Sequence, residues 1–354
     1  MKKIIVICIL LPLVFNSCKK EEDSQITDNS SVVEGCMDIL ALNYNPLATF
    51  EISESCVYET TGVGDLWGLE TSDLPNYYFT SDVPQSQINT INENYNIASN
   101  AWGNFGPLEY WIIGNDISLA DSLDIAYCDK RYEMDPSLGS NYIVNCLNRG
   151  YNFVDYVNNG GAGLNTRRNQ DDDYSVFVIT HGSKFPSPSE TDYDVVAMHE
   201  YFHVYQQAHV FSKNEQERAS KFPSNPWFVE GGATFMSELL YSQQTNVSSN
   251  YLAEVMSWKL QNLDIFLASG IRLEDIQYGT ESVQYAYELG AWFTAFLIHN
   301  FGVETYLVDF HDDLNILSFE QSFVVNFGKS SLEILDEFHD FLNLPVTDQL
   351  LILP

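Results

Sequence analysis

The sequence predicts an α+β chain, with a small mixed sheet in its N-terminal part and a helical lobe after it. Short runs rich in β-branched and aromatic residues stand between breaks in the first half: NYYFT (76–80), LEYWIIGND (108–116) and YSVFVIT (174–180). Beyond residue 190, apolar residues recur at three- and four-residue steps through several long segments. The chain has 354 residues, 45% hydrophobic and 14% aromatic, enough for one large or two modest units with a real core.

The N-terminus reads as a targeting segment. Lys2 and Lys3 precede the apolar run IIVICILLPLVF, then Asn16, Ser17 and Cys18. The run is too short for a permanent membrane helix and has the charged start of a signal peptide. A small residue followed by cysteine resembles the lipobox of bacterial lipoproteins, with Phe15 where a leucine-like residue is usual. The KKEED that follows resembles the charged tag of surface-exported lipoproteins of the Bacteroidetes. These resemblances imply loss of residues 1–17, lipidation of Cys18, and an outer-membrane or cell-surface protein held by its lipid anchor alone.

Residues 18–34 are polar and charged and read as a flexible tether. Residues 35–58 hold GCMDILALNYNPLATFEISESC, which resembles a short cysteine-bracketed motif of Bacteroidetes surface proteins. It reads as a spacer made rigid by its bridge, or as an Asn- and Asp-rich loop able to hold calcium. Once Cys8 leaves with the leader and Cys18 is lipidated, four cysteines remain, which suits an oxidising compartment. Cys36–Cys56 and Cys128–Cys146 are the simplest pairing by proximity, among three connectivities.

The remaining chain, residues 64–354, reads as one globular domain. Residues 83–102 have helical spacing at Ile88, Ile91, Tyr95, Ala98 and Trp102. Residues 117–172 show no clear period, and NNGGAGLNTRRNQDDD (158–173) predicts a surface loop. YSVFVIT predicts a buried or edge strand. As an edge it would suit an extended peptide, and Tyr174–Thr180 is the candidate. Thr191, Asp192 or Asp194 caps the helix that follows. Helical periodicity then runs through SNPWFVEGGATFMSELLYSQ, SSNYLAEVMSWKLQNLDIFL, ESVQYAYELGAWFTAFLIHNFG, VETYLVDFHDDL and SSLEILDEFHDFL.

Aspartate and glutamate number 49 against 16 lysines and arginines, a formal charge of −33. So acidic a surface repels phosphate backbones and argues against nucleic acid as a partner. It fits solubility, salty water, or a preference for basic substrates.

The chemistry concentrates in MHEYFHVYQQAH (198–209), where His199, Glu200 and His203 form H-E-x-x-H. Residues four apart share a helix face, so both imidazoles can meet one metal ion, with Glu200 beside them to take a proton from its water. A catalytic zinc takes a third protein ligand. His209 stands ten residues after His199, about 80° off its face and about 15 Å along an unbroken helix. The metzincin pattern has a glycine that turns the chain back, and here that position is Gln206. His209 therefore reads as an exposed histidine late in a helix, and the other candidate is Glu230, in PWFVEGGATFMSE.

That segment resembles the W-[FL]-x-E-G-x-A element of the gluzincins, the class of thermolysin, the aminopeptidase N-like enzymes and bacterial collagenases. The resemblance implies a zincin-like catalytic domain, with Zn2+ on His199, His203 and Glu230 between two lobes. It leaves Glu238 or Thr234 to support the ligands, because Ser237 stands where those enzymes carry a glutamate. Tyr287-Glu288-Leu289-Gly290 resembles their Y-E-x-G element and implies Tyr287, with Tyr285 as fallback, as hydrogen-bond donor to the oxyanion. No G-A-M-E-N-like segment occurs, so a dedicated aminopeptidase is not indicated. The expected function is zinc-dependent cleavage of extracellular proteins or peptides. A silent peptidase-fold binding lipoprotein and hydrolysis of a non-peptide amide are the rival readings.

Overall fold

The computed structural model of the chain describes residues 69–139, 141–168, 175–183, 193–210 and 215–354. The leader, Cys18, the tether and the Cys36–Cys56 module lie outside the described residues. The first half runs β1 (Asn76–Phe79), α1 (Gln85–Trp102), β2 (Leu108–Ile113), α2 (Ile117–Met134), α3 (Tyr142–Leu147), α4 (Phe153–Asn159), β3 (Ala162–Arg168), β4 (Ser175–Gly182) and α5 (Tyr193–Ala208). The second half is helical: α6 (Glu215–Ser220), α7 (Pro226–Ser242), α8 (Tyr251–Trp258), α9 (Leu263–Ser269), α10 (Val283–Phe301), α11 (Phe310–Asp313), α12 (Phe319–Phe327), α13 (Ser331–Phe341) and α14 (Val346–Gln349). The fold is α+β with a small mixed sheet. Among the described residues no helix is long and apolar enough to cross a membrane.

The sheet order is β1-β2-β4-β3. β1, β2 and β4 are parallel, and β3 pairs antiparallel with β4, Ala162 opposite His181 and Arg168 opposite Ser175. Both faces are covered, which explains why β2 and β4 are buried along their whole length rather than at alternate residues. Tyr110, Ile112, Phe177 and Ile179 pack with Ile91 and Tyr95 of α1 and Met198 and Tyr201 of α5. Trp111, Ile113, Val176 and Val178 pack on the other face with Tyr127, Cys128, Phe153 and Tyr156. Glu109 also faces that side, where buried Arg131 of α2 neutralises it at 2.7 Å.

The structure corrects several expectations. The edge strand beside the cleft is β3, not the run before α5: Ser175–Gly182 is the buried strand that was the other reading, Tyr174 lies outside the described residues, and Ala162–Arg168 of the Gly- and Asn-rich stretch expected to be loop supplies that edge. Pairing with β4 overrides the loop-like composition. The excursion over 117–159 is helical, set by local caps rather than periodicity. Asp116 accepts from Ser118 N at 2.8 Å, and Asn152 and Asp155 form a capping box. Its Cys128–Cys146 disulfide is present, joining α2 to α3. The helical stretch through 248–267 breaks into α8 and α9. Asp194 is not a cap but lies in the first turn of α5, where it accepts from Asn94 of α1; Thr191 and Asp192 are outside the described residues.

α5 is registered on α1 and the sheet by polar bonds as well as packing. Tyr193 Oη donates to Gly182 O at 2.7 Å and accepts from Gln87 of α1 at 2.9 Å. Tyr201 Oη donates to Gly103 O at 2.7 Å, and Trp102 meets Phe202 edge-on at 4.9 Å. These contacts hold the helix from its first turn to its third.

Two histidines are buried without charge. His181 of β4 lies beside Tyr110, and neither of its ring nitrogens has a hydrogen-bond partner among the described residues. Burial pushes its pKa down to about 3, and does the same to His311. An unfolded histidine titrates near 6.5, so as pH falls the unfolded chain takes up these protons first. The stability they permit is full above about pH 6.5 and declines towards about pH 3. Denaturant titrations from pH 7 to 4 will show a shallower loss of stability in His181→Phe than in the native chain.

Candidate metal centre and cleft

α7 begins with Pro226 in the first turn, where a missing N–H costs nothing. Trp227 and Phe228 anchor that turn in an aromatic cluster, with Phe293 at 5.2 Å and Phe319 at 5.0 Å. Glu230, one turn on, is thereby aimed at α5. The crossing of α7 with α10 sets how close the two helices come. A Cβ on Gly231 would overlap the Gly290 backbone, and one on Gly290 would overlap Trp227 O. A Cβ on Gly232 would strike the Tyr306 hydroxyl. The glycines of the two motif elements therefore have a steric role: they let α7 and α10 meet backbone to backbone.

The structure brings His199, His203 and Glu230 together. His203 Nε2 lies 3.1 Å from His199 Nε2 and 3.1 Å from Glu230 Oε2, and His199 Nε2 lies 3.3 Å from Glu230 Oε2. Ligand atoms about 2.0–2.1 Å from a tetrahedral zinc stand roughly 3.3 Å apart, so the donor set and its spacing fit that ion. Burial opposes charge on His203, but the Glu230 carboxylate beside it outweighs burial and pushes its pKa up to about 9. Burial works against ionised Glu230 too, yet His203 and His199 hold its carboxyl well below the usual range. Burial pushes His199 down. Among the described residues, this trio is the one group of three or more such side chains positioned for a metal.

Glu200 is buried and lines the same cleft. Its charge is felt by His203, Tyr156 and Tyr278. Tyr287 also lines the cleft, its ring stacked on His199 at 6.2 Å. Tyr285 instead packs on Phe266 in the core. His209 is not with the trio. It is half-buried rather than exposed: Nδ1 donates to Tyr205 O at 2.7 Å, and Nε2 lies 3.7 Å from Asp312. Glu238 receives Tyr251 Oη at 2.7 Å and Lys259 Nζ at 3.1 Å. It belongs to the cleft wall, as Thr234 does.

Two supports escaped sequence reasoning. His203 Nδ1 donates to Gln206 Oε1 at 2.8 Å, and Gln206 Nε2 donates to Val229 O at 3.1 Å. This fixes the tautomer that leaves His203 Nε2 for a metal. The spacing of three on one helix is visible in the sequence, but the bond across to Val229 of another helix is not. Tyr278 Oη donates to Glu230 Oε1 at 2.7 Å, leaving Oε2 for the histidines. Nothing local signals a loop tyrosine 48 residues away.

The cleft has a volume of about 1240 Å³. That exceeds the roughly 300–1,000 Å³ typical of small-molecule sites. β3 from Gly163 to Thr166 forms one wall, α5 the floor, and α7, α8 and α10 the opposite wall. Gly290→Ala will force α7 and α10 apart and lower the unfolding free energy by about 1–3 kcal/mol, read by denaturant titration. No family model, no curated protein and no solved structure matches the chain.

Proposed function

We propose that this chain is a gluzincin-type zinc metallopeptidase with a zincin-like catalytic domain. The observation that carries the reading is the convergence of His199 Nε2, His203 Nε2 and Glu230 Oε2 beside the glutamate of the same H-E-x-x-H motif. His199, His203 and Glu230 would hold the zinc, which would supply Lewis acidity for a bound water and the scissile carbonyl. Gln206 and Tyr278 keep the two ends of the ligand set in place. Glu200 takes the water's proton and passes it to the leaving amine. Tyr287, stacked against His199, donates to the oxyanion, a contact worth about 2.7–4 kcal/mol of barrier in comparable sites. An extended peptide adds along the outer edge of β3, so its backbone pairs with the sheet while side chains face the helical wall.

The cysteine at 18 anchors the protein by lipid at the outer membrane or cell surface, and its substrates are extracellular proteins or peptides. Nucleic acid is not a partner.

Glu200→Gln is expected to retain one zinc per chain by metal analysis and to lose peptide cleavage by a thousandfold or more on the order expected for a lost general base and electrostatic contact. Full activity in that variant would end this mechanism. Gln206→Leu frees the His203 ring and is expected to weaken zinc binding roughly 10- to 100-fold in chelator competition, with the fold retained by circular dichroism.

A further inference from the structure

We infer that Glu288 makes the helical wall of the cleft a subsite for a cationic group of the peptide, an ammonium or a guanidinium. The inference names the substrate class of the proposed peptidase and rests on that reading for the word peptide.

Glu288 lies on α10 directly after Tyr287 and lines the same cleft, only 4% exposed. Gln284 Nε2 donates to its Oε1 at 2.6 Å. Its Oε2 is buried with no hydrogen-bond partner among the described residues. A buried carboxylate oxygen left unpaired is costly, and a mobile cation entering the cleft removes that cost.

The neighbouring lysine does not serve. Lys259 Nζ is committed to Glu238 at 3.1 Å, and Glu238 also receives the Tyr251 hydroxyl. Lys259 acts on Glu288 only at a distance, while burial pushes the Glu288 carboxyl up. Glu238 and Lys259 therefore cancel, which leaves Glu288 uncompensated by them. The surroundings suit a long cationic side chain. Tyr251, Val255 and Trp258 of α8 line the wall, offering apolar and aromatic surface for a methylene stem. Glu254 at the cleft adds a second negative charge.

The cation has two sources, a lysine or arginine side chain or the peptide's own N-terminal ammonium, and paired peptides separate them. Pairs differ only in lysine against norleucine, or arginine against citrulline, each with a free and an acetylated N-terminus. Cleavage by the native protein is followed by mass spectrometry. The cationic member is expected to show a kcat/KM roughly ten- to a hundredfold higher, with the ratio falling towards one in Glu288→Gln. An advantage that survives acetylation assigns the subsite to a side chain. Faster cleavage of each free peptide than of its acetylated form, equal for both members of a pair, assigns it to the N-terminus.

Cleavage at equal rates across all pairs and across free and acetylated N-termini overturns the subsite and leaves the peptidase standing. If no peptide is cleaved, calorimetric titration of the same pairs into the Glu200→Gln protein decides. Cation-dependent binding that a second change, Glu288→Gln, removes upholds the subsite without the peptidase. Binding indifferent to charge, or none, overturns it. The paired comparison on the native chain reads the subsite even where the Glu288 variant fails to fold.

Discussion

The contact between α7 and α10 governs the geometry of this molecule. Helices normally stand 8–10 Å apart, separated by side chains. Gly231 and Gly290 remove that layer, so Trp227 O, the Gly231 backbone and the Gly290 backbone touch. Everything on the cleft side of these helices is brought inward by the same margin. Glu230 comes within reach of α5, Tyr287 comes over His199, and Glu288 joins the wall that Glu238 and Lys259 share. Aromatic packing outside the crossing, Phe228 on Phe310 and Phe319 and Trp227 on Phe293, presses the two helices into it.

The second constraint is on α5, which must not slide or rotate. A shift of one residue would swing both histidines by about 100°. Tyr193 and Asp194 hold its first turn to α1 and to the end of β4, and Tyr201 ties its middle to Gly103. Gln206 then bonds backwards to His203 and across to Val229 of α7. One side chain thus couples the histidine helix to the glutamate helix, and the register of each is checked against the other.

What the sequence made legible was local. Two histidines four apart, and a glutamate placed early in a helix by Trp227, Phe228 and a following Gly-Gly, are patterns of a few residues, and the structure brings those three side chains together. The strands β2 and β4 were legible because both are buried along their whole length, and β1 because of its run of aromatic residues. What stayed hidden is set by distant partners. β3 is a strand because β4 lies beside it, and its glycines and asparagines say nothing of that. Tyr278 matters through Glu230 and Lys259 through Glu238, across separations no period records. His209 looked exposed because its neighbours in space, Phe105 and His311, are far along the chain.

The order β1-β2-β4-β3 places the chain between β2 and β4 in an unusual position. That whole stretch, α2 to α4 with its disulfide, packs on the sheet face turned away from α5 and then returns as the outermost strand. One uninterrupted block of sequence therefore supplies the cleft rim from Tyr151 to Thr166, while the ion-binding trio comes from elsewhere. The two jobs are separable by inheritance: this block can lengthen, shorten or be exchanged between descendants, redrawing what the cleft admits, without disturbing the atoms that would do the chemistry.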